Sequence, residues 1–175
     1  MNIYGIANHQ NEEPIIRLGE GLPDLLALGQ RDEVLPVFGS EAALRAFVRA
    51  HPWLGEDGSE RVEPALLGAS FIEVAELISP AVEAGGIELV VFDPVLDING
   101  AWVGESLSWP AENFCASMTV VADIARRQEG VPADHQPSPK AVRKATAWYV
   151  MRLLLYRLDL LGPFDSLRGY LGLRA

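Results

Sequence analysis

The chain has 175 residues, of which 49% are hydrophobic, and its 24 acidic and 14 basic side chains give a net charge of −10. A chain of this length folds as one domain, with or without an appendage, and buries enough surface to need neither a disulfide nor a structural metal. The acidic balance excludes nucleic acid as a favoured partner, because that binding depends on Lys and Arg displacing counterions from phosphates.

The charge is distributed unevenly along the chain. Residues 1–112 contain 19 acidic and 5 basic side chains, a net of 5 − 19 = −14. Residues 113–175 contain 5 acidic and 9 basic side chains, a net of 9 − 5 = +4. The acidic part predicts either a solvated acidic surface or a face that attracts a basic partner protein.

Cysteine content and hydropathy indicate where the protein works. Cys115 is the one cysteine, so no internal disulfide can form, which suits a reducing cytoplasm. The first residues lack the basic and apolar regions of a signal peptide, and no apolar run is long enough to span a bilayer. We expect a soluble cytoplasmic protein without a membrane partner.

The first forty residues predict short strands. Ile3–Ile6 and Ile15–Leu18 are apolar runs typical of edge strands. Leu25–Leu28 and Val34–Phe38 predict a hairpin with a loop of about five residues. Pro36 cannot donate a ladder hydrogen bond, so its strand either lies at a sheet edge or turns that position away from a neighbour.

Two capped helices are predicted in the middle of the chain. Ser40 is the N-cap of the first, which ends near His51 because Pro52 disfavours helical geometry in the preceding residue. Ser70 and Glu73 form a capping box at the start of the second, which Pro80 ends or kinks. The apolar faces are Leu44, Phe47 and Val48 in the first helix, and Phe71, Val74, Ala75 and Ile78 in the second.

Three further segments predict strands. Arg61–Leu67 is a strand interrupted by Pro64, and Ile87–Phe92, apolar at nearly every position, is a central strand covered on both faces. Asn99-Gly100 lies between two apolar runs and predicts a tight hairpin over residues 95–103.

The segment after the hairpin leads into a different part of the chain. Pro110 can open a helix that runs to about Gln128, although Met118–Ala122 can equally be a strand. Residues 131–139 hold three prolines and predict a linker. We therefore predict a mixed α/β domain over residues 1–130, with a mixed sheet of about five strands and helices packed on it, then the linker, then a C-terminal element over residues 140–175.

The C-terminal element is a long, apolar helix predicted over Lys140–Leu161. From Ala147 onward it is apolar on nearly every side, so either it passes through the fold or it packs against a second copy of itself. The preceding linker favours a homodimer. Tryptophan, tyrosine and arginine are the residue types that dominate interface hot spots, and this helix contains all three. Burial of these side chains in the core of the fold is a serious alternative. The candidate interface residues are Trp148, Tyr149, Arg152, Leu154 and Tyr156.

The sequence contains no recognisable catalytic, cofactor or metal site. The histidines, His9, His51 and His135, are not at ligand spacing with Cys, Asp or Glu, and Cys115 lacks an anion-binding loop. Nucleotide-binding glycine loops and the nucleophile elbow are missing. Asp93 follows a central strand, where α/β folds place ligands, but Asp before Pro is also an ordinary turn starter, and we interpret it as a turn.

Two segments resemble a known family. Val34–Leu44, a Leu-Pro-Val-Phe strand followed by a Ser-capped helix, and Gly86–Pro94, an apolar strand ending in Asp-Pro, resemble the SseB-like N-terminal domain, which is linked to enhanced serine sensitivity. Gly39 stands where that family commonly has Thr, and Asp93 where it has Asn. The resemblance covers about residues 20–105, supplies no catalytic residue, and implies a small bacterial accessory or binding protein with a mixed α/β fold.

These observations predict a non-enzymatic protein that acts through protein–protein contacts with a partner that the residues do not identify. One alternative is an immunity-type protein whose acidic surface covers a basic toxin. Another is an enzyme with an unrecognised pocket, which needs a deep cleft with perturbed titratable groups.

Overall fold

A computed structural model describes residues 1–8, 15–28, 34–51, 63–96 and 107–157. The described chain has a mixed α+β architecture, as expected from the sequence. Its strands are β1 (Ile3–Ile6), β2 (Ile15–Ile16), β3 (Leu25–Leu26), β4 (Val34–Val37), β5 (Pro64–Gly68), β6 (Leu89–Phe92) and β7 (Leu107–Pro110). Its helices are α1 (Glu41–Ala50), α2 (Phe71–Glu83), α3 (Ala111–Glu129) and α4 (Pro139–Arg157).

The strands pair in three groups. β4 and β6 are parallel, and β7 pairs antiparallel with β6, so that β6 is the central strand of a three-stranded sheet. β1 pairs antiparallel with β5, and β2 pairs antiparallel with β3. The predicted position of β6 at the centre of its sheet is confirmed. β4, which carries Pro36, is the outer strand of this three-stranded sheet, one of the two placements that the sequence allows.

This grouping differs from the single sheet of about five strands that the sequence predicted. Between β1 and the end of β4 there is only an isolated bridge, in which Tyr4 and Phe38 exchange backbone hydrogen bonds of 2.9 and 2.8 Å. The register of β1 shifts between Ile3 and Tyr4, and Pro36 offers no amide hydrogen. Both features work against a continuous ladder at that edge.

The predicted hairpins have different outcomes. Leu28 and Val34 form an antiparallel bridge, but the main partner of β3 is β2 rather than β4. The loop between Leu28 and Val34 lies outside the described residues, as do the Asn99-Gly100 turn and the strand predicted after it.

Both predicted helix caps are confirmed. The Ser40 hydroxyl oxygen accepts a hydrogen bond from the Ala43 amide at 3.1 Å. At α2 the Ser70 hydroxyl oxygen accepts from the Glu73 amide at 3.3 Å, and the Glu73 carboxylate accepts from the Ala69 amide at 2.7 Å. The reciprocal bond of the box therefore reaches one residue further back than the usual pattern.

Pro80 does not end α2, which continues to Glu83. The Pro80 carbonyl accepts a hydrogen bond from the Ala84 amide at 3.1 Å, so the last turn closes after the proline. The helix ends at Glu83 with Ala84 as its C-cap, and Gly85 follows with a φ of +76°, which suits glycine in that position.

Two hydrophobic groups stabilise the part of the chain up to Thr119. The first surrounds Phe38 and Phe47, whose ring centroids are 5.1 Å apart. The second surrounds Phe114, a fully buried side chain of α3 whose ring is 5.7 Å from that of Phe92 and 5.8 Å from that of Trp109. α3 is a helix throughout, which decides against the strand over Met118–Ala122.

The chain divides into two compact units, Met1–Thr119 and Val120–Ala175, with the boundary inside α3. In the second unit the second half of the segment that we predicted as a linker is hydrogen-bonded to α3. The Ser138 amide donates to the Glu129 carboxylate at 2.7 Å, and the Arg126 side chain donates to the His135 carbonyl at 3.3 Å. Ser138 then caps α4, because its hydroxyl oxygen accepts from the Ala141 amide at 3.3 Å.

Candidate functional site

The exposure of α4 changes along its length. Ala141 and Ala145 are buried in the first two turns, at 7% and 0% exposure. Tyr149 is half-buried, and Arg152 and Tyr156, which continue the same side of the helix, are exposed. The second half of α4 therefore presents to solvent a surface that is covered in the first half.

The side chains of this exposed half are largely apolar. Tyr156 is 72% exposed, Met151 59% and Leu154 55%. Trp148, Val150 and Leu153 are also exposed. Isolated apolar side chains on a surface are ordinary, but a contiguous group of this kind marks an interaction site or an aggregation risk.

Helical geometry sorts these side chains onto two faces. Successive residues are about 100° apart around a helix, so residues three, four and seven apart share a side. Ala147, Val150, Met151 and Leu154 follow that spacing, and we name them the aliphatic face. Trp148, Tyr149, Arg152 and Tyr156 lie on the opposite side, and we name them the aromatic face.

The aromatic face is ordered by a contact within the helix. The Arg152 guanidinium lies over the Trp148 ring, 5.3 Å from its centroid, which is the geometry of a cation–π interaction. The stacked guanidinium covers part of the indole. Consequently this face combines apolar area with a fixed positive charge.

The aliphatic face has a sharp boundary at its N-terminal end. Lys140, Arg143 and Lys144 occupy the same side of α4 immediately before Ala147. The sequence of α4, Pro139–Arg157, contains five basic residues and no acidic one. This side of the helix is therefore cationic for its first turns and aliphatic afterwards.

The five predicted interface residues do not form one patch. Trp148, Tyr149, Arg152 and Tyr156 share the aromatic face, whereas Leu154 lies across the helix on the aliphatic face. Sequence reasoning missed Val150 and Met151, the neighbours of Leu154. The sequence signal for them is the helical spacing of three and four residues from Ala147 to Leu154. This apolar series begins directly after Lys144, the last of the basic residues on the same side of the helix.

The other candidate residues are separated in the structure. Cys115 is half-buried, and its thiol lies 3.7 Å from the Ala75 carbonyl oxygen. Burial, with a smaller contribution from the negative charge of Glu83, raises the pKa of the Cys115 thiol above its ordinary 9.0, so the nucleophilic thiolate is disfavoured. His51 packs against Phe47, and His135 contacts the Asp134 carboxylate, while His9 lies outside the described residues.

Asp93 has a position that the turn interpretation did not anticipate. It follows β6 with a φ of +44°, and its Oδ1 accepts a hydrogen bond from the Gly39 amide at 3.1 Å. It thus joins the end of β6 to the residue before the α1 cap, and it lines a cavity there. Asp93 is a turn residue and also part of a concave surface.

In the part of the chain that the structure describes, no group of three or more His, Cys, Asp or Glu side chains is arranged to hold a metal ion. Within the same residues, none of the helices combines the length and apolar character needed to span a bilayer.

Comparison with protein-family models, with curated proteins and with solved structures gives no match to this chain.

Proposed function

We propose that the chain is a non-enzymatic binding protein that self-associates through the aliphatic face of α4. The observation that carries the proposal is the run of exposed apolar side chains over the second half of α4, centred on Val150, Met151 and Leu154. Removing such a surface from water is favourable by roughly 25 cal/mol per Å². A second copy of the same helix offers a complementary aliphatic surface.

The size of the face predicts a weak dimer. Val150, Met151 and Leu154 are each about half exposed, at 47%, 59% and 55%, and they supply most of the apolar area of the face. Three side chains per chain are few beside the roughly 20–30 residues that each partner contributes to a stable interface of standard size. The association must therefore be reversible and depend on protein concentration.

Charge favours an antiparallel arrangement of the two helices. Packed helices lie about 8–10 Å apart, so a parallel pair would place Lys140, Arg143 and Lys144 within about one Debye length of their copies. An antiparallel pair centred near Met151 separates the two cationic ends by about 30 Å, because each residue rises about 1.5 Å. Opposed helix dipoles add a further preference for that orientation.

Other parts of the proposal have separate support. The resemblance to the SseB-like N-terminal domain supports an accessory role without catalysis, and the single cysteine supports a cytoplasmic location. The bridge between Tyr4 and Phe38 supports the idea that β5, β1, β4, β6 and β7 act together as one five-stranded mixed sheet.

Paired variants of α4 test the proposed face. Val150→Glu with Leu154→Glu adds two carboxylates to the aliphatic face, and the chain should become monomeric in light scattering. Leu153→Glu with Tyr156→Glu makes the same change in charge away from that face and is the matched control, which should keep the wild-type mass. Equal effects of the two pairs would contradict the assignment of the face, and circular dichroism verifies that both variants remain folded.

A second candidate is a protein that binds a basic partner, as an immunity protein binds a basic toxin. The charge of −14 over residues 1–112 favours it, because such a field attracts cations and accelerates association. This hypothesis predicts tight binding that weakens steeply with salt. Capture of a basic protein at low salt, with its release at about 0.5 M NaCl, would support it over self-association alone.

A further inference from the structure

β7 is an outer strand of the sheet formed by β4, β6 and β7. Leu107, Ser108 and Pro110 are exposed in it, and Trp109 is half-buried. Within the residues that the structure describes, β6 is the one strand that pairs with β7. An unpaired edge presents backbone donors and acceptors to which another extended chain can add as a strand. The outer edge of β7 is therefore available for strand addition.

The register of β6 and β7 identifies the backbone groups that point outward. The Ala111 amide donates at 2.9 Å to the carbonyl oxygen of Glu88, and this pair continues the ladder by one position. In an antiparallel ladder every second residue bonds to the partner strand, and the residues between them point outward. Ser108 and Pro110 are the residues between, and Pro110 has no amide hydrogen. Within β7, all of which the structure describes, Ser108 alone thus offers both an outward amide hydrogen and an outward carbonyl oxygen.

An aromatic cluster lies beside this edge. Phe92 is paired with Leu107, so their side chains share one face of the sheet, and the Phe71 and Phe114 rings pack on Phe92. Trp109 lies on the same face, 5.8 Å from Phe114 between ring centroids. Leu107 is 64% exposed and Phe71 is 38% exposed. An added strand would therefore find exposed apolar surface on this face of the sheet.

The charge along this part of the chain is entirely negative. Residues 71–119, which include α2, β6, β7 and the first half of α3, contain eight acidic residues and no Lys, Arg or His, a net of 0 − 8 = −8. Glu88 and Glu112 are both exposed and lie next to the Pro110 end of β7. Such a field attracts a cationic ligand. It opposes the addition of β7 from a second copy, which would bring the same charge to the edge.

We propose that the outer edge of β7 binds an extended peptide segment of a partner protein, in which basic residues precede alternating apolar residues. The segment adds as an antiparallel strand, because one antiparallel residue can exchange both hydrogen bonds with Ser108, whereas a parallel strand needs two residues to do so. The neighbours of that residue place apolar side chains beside Leu107 and Trp109. The basic residues before them lie beside Glu88 and Glu112. The proposal rests on the second candidate function, for which it names the surface and the chemistry of the partner.

The test is an amide NMR titration of the full chain with the peptide acetyl-Lys-Arg-Lys-Val-Thr-Val-amide, whose Thr lies opposite Ser108. We expect saturable shifts at Leu107, Ser108 and Trp109. Methylation of the Thr nitrogen removes the hydrogen donated to the Ser108 carbonyl and should weaken binding about tenfold. Methylation of the final Val nitrogen, which points away from β7, is the matched control and should leave the affinity nearly unchanged. Equal losses from the two methylations would overturn strand addition.

Two substitutions of Ser108 test the same pairing from the side of the protein. Ser108→Pro removes the outward amide hydrogen and keeps the ladder to β6, which uses Leu107 and Trp109, so peptide binding should weaken about tenfold. Ser108→Ala keeps the amide hydrogen and is the matched control, with the affinity of the wild type. Equal affinities of the two variants would contradict the site. The methylated peptides leave the protein unchanged, so they decide the question even where Ser108→Pro disturbs the fold.

The charge requirement has its own test. Glu112→Gln should weaken binding of the basic peptide about threefold at low salt. Glu20→Gln removes one charge from an exposed position between β2 and β3 and should leave binding unchanged. The peptide acetyl-Glu-Gln-Glu-Val-Thr-Val-amide should bind more weakly than the basic peptide to the wild type. Equal binding of the acidic and basic peptides would overturn the assignment of a basic partner.

Further outcomes separate this site from the functions proposed above. If Ser108→Pro captures a basic protein as well as the wild type does, the second candidate function stands and the β7 site is overturned. If the wild type captures no basic protein but binds the peptide saturably, the site stands and that function fails. Shifts at Ser108 that grow with protein concentration in the absence of peptide would assign the edge to a second copy and contradict the proposal. Self-association through α4 is tested separately, because β7 lies in the unit Met1–Thr119.

Discussion

The Arg152 guanidinium lies over the Trp148 ring at 5.3 Å, one helical turn away on the exposed half of α4. Because both residues belong to the same helix, the contact needs no partner chain. An exposed cation–π pair of this kind contributes about 0.5–1 kcal/mol. The pair therefore stabilises α4 locally and does not by itself account for association.

This relationship predicts a separation between helix stability and self-association. Arg152→Gln should lower the free energy of unfolding by no more than about 1 kcal/mol, because only the cation–π contact is lost. It should leave the dimer fraction unchanged, because Arg152 lies opposite the aliphatic face. Urea denaturation and light scattering on the same samples check both parts. A large loss of dimer would place the interface on the aromatic face instead.

The antiparallel arrangement predicts a specific distance between labels. With Cys115→Ala as the background, a spin label at Lys140→Cys should be about 30 Å from its copy in the dimer, because the helix ends point apart. A label at Ala147→Cys, closer to the centre of the aliphatic face, should give a shorter distance. Pulsed electron paramagnetic resonance measures both distances. A separation near 10 Å at position 140 would indicate a parallel pair.

Phe114 is predicted to be the most costly aromatic side chain to truncate among those described. It is fully buried and contacts Phe92 and Trp109, so Phe114→Ala leaves a cavity and should cost about 3–5 kcal/mol. Leu107→Ala is the control, because Leu107 is 64% exposed, and it should cost less than about 0.5 kcal/mol. Chemical denaturation of both variants measures the difference. Similar costs would show that the Phe114 cluster does not support the fold.

The connection between α3 and α4 should weaken at acid pH. Hydrogen bonds from the Ser138 side chain and then from its backbone amide lower the pKa of Glu129 below its ordinary 4.5. Because the folded-state pKa is depressed, the stabilising contribution is present above pH 4.5 and is lost as the pH falls through the lower folded value. Carboxyl and amide NMR shifts of Glu129 and Ser138 follow the transition.

A variant separates this effect from general acid unfolding. In Ser138→Ala the side-chain hydrogen bond to Glu129 is lost, so the Glu129 midpoint should rise toward 4.5 while the backbone bond remains. A wild-type midpoint at or above 4.5 would contradict the role assigned to Ser138.

Local chemistry allowed much of the fold to be predicted. Ser40 and Ser70 cap their helices because hydroxyl oxygens accept bonds from free amides within three residues, and that pattern is readable in the sequence. β6 is central because an uninterrupted apolar strand must be covered on both faces. The grouping of strands was not predictable, because it depends on a bridge between Tyr4 and Phe38 that no local pattern encodes.

The same distinction holds for the two candidate sites. The apolar character of α4 is visible in its composition, but which of its turns are covered depends on tertiary packing, which the sequence pattern does not encode. The Asp93 cavity depends on a hydrogen bond between residues 54 positions apart. The Asp-Pro pattern predicts the turn there, whereas the meeting with Gly39 follows from the parallel pairing of β4 and β6.

Light scattering of the wild-type chain over a concentration series tests self-association most directly. One chain has a mass of 19.1 kDa. We predict that the weight-average mass rises from this value at about 1 µM toward twice this value at several hundred micromolar, because the interface is small and reversible. A mass that stays at 19.1 kDa over the whole series would contradict self-association through α4.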